Sequence, residues 1–230
     1  MKLDKPIPPE RVRRDFDRIA HLPGEGSWDH NSHYHRFLLG RLPRRIGRAL
    51  EVGCGTGGFA RLLAERAEAV LGLDLSPEMI AIARERSARL PNVEFLDADA
   101  LSWEYPSEEF DCVASIATLH HLPLKPMLER FRAALRPGGT LLILDLQESC
   151  GGVDRLLDSL AVPANFALRL SHTGRLREPA EVRAAWDEHG ADERYLTLPE
   201  VREAAERVLP GARVRRHLLW RYSLVWRKPT

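Results

Sequence analysis

The chain reads as an α/β protein built on a mostly parallel sheet with helices on both faces. Three observations predict this. Short runs of continuous apolar character alternate with helical segments from Arg48 to Leu146, the pattern of strands buried on both faces. A glycine run, "LEVGCGTGGFA" at 50–60, joins the first such strand to a helix, so the backbone must turn tightly there and let something come close. The last stretch, "ARVRRHLLWRYSLVWRKP", alternates strongly enough for two antiparallel strands at one sheet edge.

The elements follow in order. "PPERVRRDFDRIA" (8–20) predicts a helix with Pro9 near its first turn, and 21–28 a loop. "DHNSHYHRFLLGRL" (29–42) predicts a second helix, capped by Asp29 or Asn31, with Tyr34, Leu38 and Leu42 on one face. "RALEVG" is the first strand and "GGFARLLAERA" the helix after it; "AVLGLDLS" is the second strand. Ser76 caps "PEMIAIARERSARL", with Pro77 at the first helical position and Glu78 in the first turn. "NVEFLDAD" and "FDCVASIA" are the third and fourth strands. "PMLERFRAAL" places Leu128, Phe131 and Leu135 on one helical face, and "RPGG" ends that helix and turns into "TLLILDL", the fifth strand. Right-handed crossovers fix most of the topology. Beyond Leu146 the pattern loosens. Residues 147–178 predict helical stretches broken by Gly and Pro, 179–190 a helix opened by Pro179 and closed by Gly190, and 199–209 another before the hairpin.

A length of 230 residues suits a single domain. With 34 basic and 33 acidic side chains, there is no global electrostatic reason to expect nucleic acid or an anionic membrane as partner. The basic clusters at 11–14, 41–48 and 213–217 read as solvated faces. Cys54, Cys112 and Cys150 form no CxxC pair, and neither a signal peptide nor an apolar run of membrane-spanning length is seen. The expectation is a soluble, cytoplasmic protein.

Gly53, Gly55 and Gly57 between a strand and a helix make a nucleotide-approach geometry, with unpaired N–H groups at the helix start. Asp74 ends the next strand, 74 − 53 = 21 residues on, within reach of a ribose hydroxyl pair. The loop has no lysine, unlike a P-loop.

"LEVGCGTGGFA", "GLDLSPEMIAIA", "VEFLDADAL", "FDCVASIATLHHL" and "LRPGGTLLILDL" together resemble, in order and spacing over about residues 48–146, the class I S-adenosylmethionine-dependent methyltransferases with a domain of type 11/25. The resemblance implies a Rossmann-like, three-layer α/β/α domain over 1–230, with a seven-stranded, mostly parallel sheet and an antiparallel last strand. Residues 1–47 would form a helical lid, 48–146 the cofactor-binding core, 147–198 a helical insertion over the acceptor pocket, and 199–230 the last helix and closing hairpin. The cofactor implied is S-adenosylmethionine, released as S-adenosylhomocysteine. By resemblance, Glu51 and the backbone of Gly53, Cys54, Gly55 and Gly57 would hold the methionine moiety, its carboxylate at the helix N-terminus. Asp74 would take the ribose hydroxyls and Leu75 pack on adenine. Asp99, beside Ala100, would accept from the adenine amino group, and Ser115 would lend a carbonyl to the ammonium. A nicotinamide dehydrogenase shares the loop and the acid, but no Tyr-x-x-x-Lys pair follows the fourth strand. A cofactor-binding protein that no longer catalyses is a further alternative.

Methyl transfer is an in-line displacement, so the protein mainly aligns the reactants and excludes water, and the fold does not name the acceptor. His35, His120 and Tyr34 are the catalytic candidates. Tyr34, His121, His172 and Arg175 are the candidate acceptor contacts. No metal is expected: His30, His33 and His35 do not share a helical face, and the acids that some relatives carry at the places of Ala117 and His120 are absent. Cys54 and the tryptophans Trp186, Trp220 and Trp226 read as packing. The expected acceptor is a small molecule enclosed by the insertion, with no nucleic acid or membrane partner, and the chain a monomer or homodimer.

Overall fold

The computed structural model describes residues 7–22 and 28–230, so most of the loop expected at 21–28 lies outside the described residues. The order is α1 (Pro9–Ala20), a 3-10 turn (Ser32–Tyr34), α2 (His35–Leu39), β1 (Ile46–Val52), α3 (Gly58–Ala64), β2 (Ala67–Asp74), α4 (Pro77–Arg86), β3 (Val93–Asp97) and β4 (Phe110–Ile116). There follow α5 (Leu124–Ala134), β5 (Leu135–Leu146), α6 (Gly152–Thr173), α7 (Ala180–Gly190), α8 (Leu198–Val208), β6 (Arg213–Arg216) and β7 (Arg221–Arg227). The seven strands form one sheet in the order β3-β2-β1-β4-β5-β7-β6. β1 pairs in parallel with β2 and β4, and β7 runs antiparallel to β5 and β6. The fold is therefore the Rossmann-like arrangement the resemblance implied. Strand order reverses between β1 and β4, which opens a crevice at their carboxyl ends.

Alternation along the strands divides the core into two layers. Leu50, Val52, Val113 and Ile143 face Leu128 and Phe131 of α5 and Val201 of α8. Ala49, Val70, Ala114 and Leu142 face Phe59 and Leu63 of α3 and Ile80 of α4. Each Val, Leu, Ile or Phe among them contributes about 1.5–3 kcal/mol when fully buried.

Several boundaries differ from the sequence reading. The helix expected over 29–42 is broken up, because the Asp29 carboxylate accepts from the Asn31 and Ser32 N–H groups (2.7 Å each) and holds an Asx turn. Helix α3 has only 7 residues, so its dipole is small and the expected helix-end anchor for a carboxylate is correspondingly weak. "RPGG" lies inside β5, with a register irregularity against β4 between Phe110 and Cys112. Helix α6 continues through Pro163, where an interior proline costs about 3 kcal/mol. Contacts with the N-terminal segment offset that cost: Asn165 bonds His30 at 2.7 Å, and Arg169 lies over Trp28. The basic clusters meet acids, as in Arg11–Asp192, Arg48–Glu109 and Arg216–Asp158.

The β6–β7 turn anchors the N-terminal segment. Leu219 and Trp220 take φ of 60° and 57°, a strain of about 1–2 kcal/mol each, while Leu219 is fully buried. The Tyr34 hydroxyl donates to the Leu218 carbonyl (2.6 Å). His217 bonds Ser223 Oγ (2.8 Å) and packs its ring on Tyr34 and Phe37. Burial, then Arg215 and Arg41, pushes the His217 imidazole down to about 4. The unfolded chain takes up this proton near pH 6.5 while the folded chain does not, so stability is lost as pH falls from about 6.5 to 4. His217→Gln should flatten that acid limb in urea unfolding measured across the range; an unchanged limb would clear His217 of the effect.

Candidate active site

β1 ends at Val52, and the Gly53 and Cys54 N–H groups donate to the Leu73 carbonyl (2.8 and 2.9 Å). Asp74 completes the junction. One carboxylate oxygen accepts from the Gly55 N–H (2.7 Å) and the other from the Ser76 N–H (2.9 Å). Two glycines of this loop have opposite surroundings. A Cβ on Gly53 (φ +74°) would lie 1.9 Å from the Thr118 hydroxyl. Over Gly55 (φ +50°) the reverse holds: a Cβ would meet nothing within 4 Å, so the loop carries open space above it. Gly57 is the N-cap of α3.

The groups around that space suit a cationic ligand. Glu51 is 2% exposed and its Oε2 has no hydrogen-bond partner. Burial raises its pKa well above the carboxylate range, against a hydrogen bond from the Ala60 backbone, and Asp74 adds to the rise. Asp74 is raised by burial too, but the Ser76, Gly55 and Leu75 N–H groups hold it down. A ligand with a cationic methionine end for Glu51 and ribose hydroxyls for Asp74 would satisfy both acids, so these residues fit the S-adenosylmethionine that the resemblance implies. Cys54 lies among them as an un-ionised thiol, its pKa pushed up by burial, Asp74 and Glu51. Leu75 is half-buried beside them.

After β3, Asp99 accepts from the Leu101 N–H (2.8 Å), and the Ala100 carbonyl accepts from the Tyr105 hydroxyl and Arg130 (3.1 Å each). Sequence reasoning missed Arg130 and Tyr105, whose role is to brace this loop; Arg130 comes from α5, 30 residues away. Ser115 is buried and donates its hydroxyl to the Val52 carbonyl (3.0 Å), fixing the ends of β1 and β4 together. Ala117 follows with φ 50°, a left-handed residue that turns the chain sharply at the sheet's carboxyl edge.

The candidates of the N-terminal segment and of α6 separate into distinct places. The His35 ring packs on Phe59 at 5.1 Å and approaches Gly58, beside the start of α3. Tyr34, by contrast, has its hydroxyl engaged with Leu218, and burial pushes its pKa up to about 12; in this position it ties the N-terminal segment to the hairpin and keeps its proton. His172 stacks parallel on Trp28 at 5.4 Å, so α6 meets the N-terminal segment there, whereas Arg175 is exposed beyond the end of α6. Helix α1 reaches the turn after β2 through Asp17, which accepts from the Ser76 hydroxyl (2.6 Å).

His120 and His121 lie in a buried polar cluster. His120 Nδ1 bonds Asp145 at 2.6 Å, and its backbone N–H donates to the same carboxylate (3.0 Å). Glu193 Oε1 lies 3.5 Å from His120 Nε2, 3.4 Å from His121 Nδ1 and 2.9 Å from His189 Nε2, while His189 Nδ1 bonds Asp15 (3.0 Å). Phe16, Trp186 and Tyr195 wall the group. Burial opposes charge on His120, but Asp145 and Glu193 outweigh it and raise the imidazole to about 9. Burial, then the charge of His120, pushes His121 down to about 3. Glu193 escaped the sequence reading because it stands 193 − 121 = 72 residues beyond His121, in the turn after α7, and no local spacing links the two.

A family model described as a methyltransferase domain matches residues 49–139. An uncharacterized methyltransferase of Mycobacterium tuberculosis is 32% identical over 206 residues, covering 88% of this chain and 98% of that protein. Trans-aconitate 2-methyltransferase of Streptomyces avermitilis is 34% identical over 167 residues, covering 69% of this chain and 62% of that one. Among solved structures, phosphoethanolamine N-methyltransferase 2 of Haemonchus contortus, bound to phosphomonomethylethanolamine and S-adenosylhomocysteine, aligns with a TM-score of 0.64 at 18% identity. That alignment covers 96% of this chain and 58% of the other and is a likeness of fold.

Gly55→Ala should cost only about 1–2 kcal/mol of stability yet weaken S-adenosylhomocysteine at least tenfold, roughly 1.4 kcal/mol, in calorimetric titration. Undiminished binding would show that the space above Gly55 is not the cofactor's. Glu51→Gln keeps the shape and removes the charge, and a loss of about tenfold is expected there as well.

Proposed function

Because the chain belongs to the class I S-adenosylmethionine-dependent methyltransferases, we propose that it methylates a small-molecule acceptor at the carboxyl ends of β4 and β5. When bound, S-adenosylmethionine supplies an electrophilic sulfonium methyl and leaves as S-adenosylhomocysteine. The chain's own residues do the rest. Glu51 and the glycine loop bind the methionine end, Asp74 and Leu75 the ribose and adenine, Asp99 and Ala100 the far side of adenine, and the Ser115 backbone the ammonium.

The observation that carries the acceptor class is enclosure. His120 and His121 are roofed by Phe16 from α1 and by Trp186, His189 and Glu193 from α7 and the turn after it. Both imidazoles are 7% exposed beneath that roof; such shielding suits alignment-driven chemistry, and an enclosed site suits a small acceptor. The trans-aconitate enzyme and the phosphoethanolamine enzyme, by their names, act on small molecules, which supports the same class here. A general base is needed only for an acceptor protonated at working pH. His35, beside α3, and the His120–His121 pair remain the candidates. No helix among the described residues is long and apolar enough to cross a membrane.

At about 100 times its dissociation constant, S-adenosylhomocysteine should stabilise the protein by roughly 2.7 kcal/mol, with no such shift from NAD. Methyl-labelled S-adenosylmethionine incubated with the protein and a cell extract should label the metabolite fraction. Label confined to protein or RNA would overturn the acceptor class.

A further inference from the structure

We propose that His120, His121 and Glu193 form a binding site for a divalent transition-metal ion, zinc in class, at the carboxyl end of β4. One ligand atom from each of the three lies within 4.8 Å of the other two. His120 Nε2 and His121 Nδ1 stand 3.5 and 3.4 Å from Glu193 Oε1. Those separations exceed a charge-assisted N–H···O bond of about 2.7–2.9 Å. They match the edge of a tetrahedron, about 3.3–3.6 Å, around an ion with bonds of about 2.0–2.2 Å.

The burial of the donors is the second, independent observation. The side chains of His120, His121 and Glu193 are 7%, 7% and 5% exposed. Neither His121 nitrogen has a hydrogen-bond partner, and Glu193 Oε1 accepts no aligned hydrogen bond, despite the His189 nitrogen 2.9 Å away. Buried polar atoms without partners are rare and costly, and a shared cation would satisfy His121 Nδ1 and Glu193 Oε1 together.

The surrounding residues hold the donors in place. Asp145 takes the Nδ1 proton of His120, which fixes the tautomer and leaves Nε2 for the cation, the carboxylate–histidine–metal relay common at such sites. Tyr195 donates its hydroxyl to the other oxygen of Glu193, and the Asp15–His189 pair stands behind Oε1. Two imidazoles and a carboxylate favour zinc or its neighbours over magnesium or calcium, which take oxygen ligands. Three protein ligands leave one position for water or a donor atom of a small molecule. The acids whose absence at Ala117 and His120 argued against a metal are replaced by Glu193, from a different part of the chain. The proposal is independent of the acceptor class argued above.

The test is a titration of the chelator-stripped, full-length protein with Co²⁺, followed by Zn²⁺, with S-adenosylhomocysteine binding measured on the same samples. One equivalent of Co²⁺ should bind with the visible absorption of a four- or five-coordinate ion, and Zn²⁺ should displace it. His121→Gln and Glu193→Gln should abolish that absorption while circular dichroism and S-adenosylhomocysteine binding persist. Asp145→Asn should weaken the ion about 10- to 100-fold. If the wild-type protein binds S-adenosylhomocysteine but takes up no stoichiometric Co²⁺ or Zn²⁺, the metal site is overturned. It is overturned equally if His121→Gln binds Co²⁺ with unchanged absorption, and that variant decides the matter should Glu193→Gln not fold.

Discussion

Asp74 joins two turns that would otherwise be independent. Its carboxylate accepts from the N–H of Gly55, after β1, and from that of Ser76, after β2. The glycine loop is thus held open by an acid on the neighbouring strand, and the acid is kept ionisable in a buried place by the loop's own backbone. Losing either partner would leave a buried charge or unsatisfied donors, each a penalty of about 1–3 kcal/mol. The position of Glu51, the space above Gly55 and the packing of Ser115 on Val52 all follow from where this junction sets the end of β1.

Where interactions are local, the sequence was legible. Continuous apolar strands, the glycine run, and Ser76 with Pro77 all announce themselves within a few residues, and the strands and glycine loop appear where they were expected. What failed was set by competition or by distance. Asp29 diverted the start of a helix because a short carboxylate can satisfy backbone donors in a turn as well as in a helix. Pro163 was read as a break because its cost is local, whereas the contacts that sustain α6 come from His30 and Trp28 far away in the chain. Within the site, Gly53, Gly55 and Asp74 could be named from spacing. Arg130, Asp145 and Glu193 could not, since only the fold brings them to the loops they support.

The histidine cluster shows how this architecture admits charge into an interior. Two acids, Asp145 and Glu193, flank His120, while burial holds the His121 imidazole beside it well below its ordinary pKa. The sheet supplies Asp145 and the insertion supplies Glu193. The carboxyl end of β4 is therefore complete only when α7 and the turn after it are seated on it.

One hydroxyl gives this division a dynamic counterpart. Ser76 caps α4 next to Asp74 and also donates to Asp17 of α1. Seating α1 and ordering the turn after β2 are therefore not separate events but linked equilibria. By thermodynamic reciprocity, whatever factor cofactor gains from a closed α1, α1 gains in closure from cofactor.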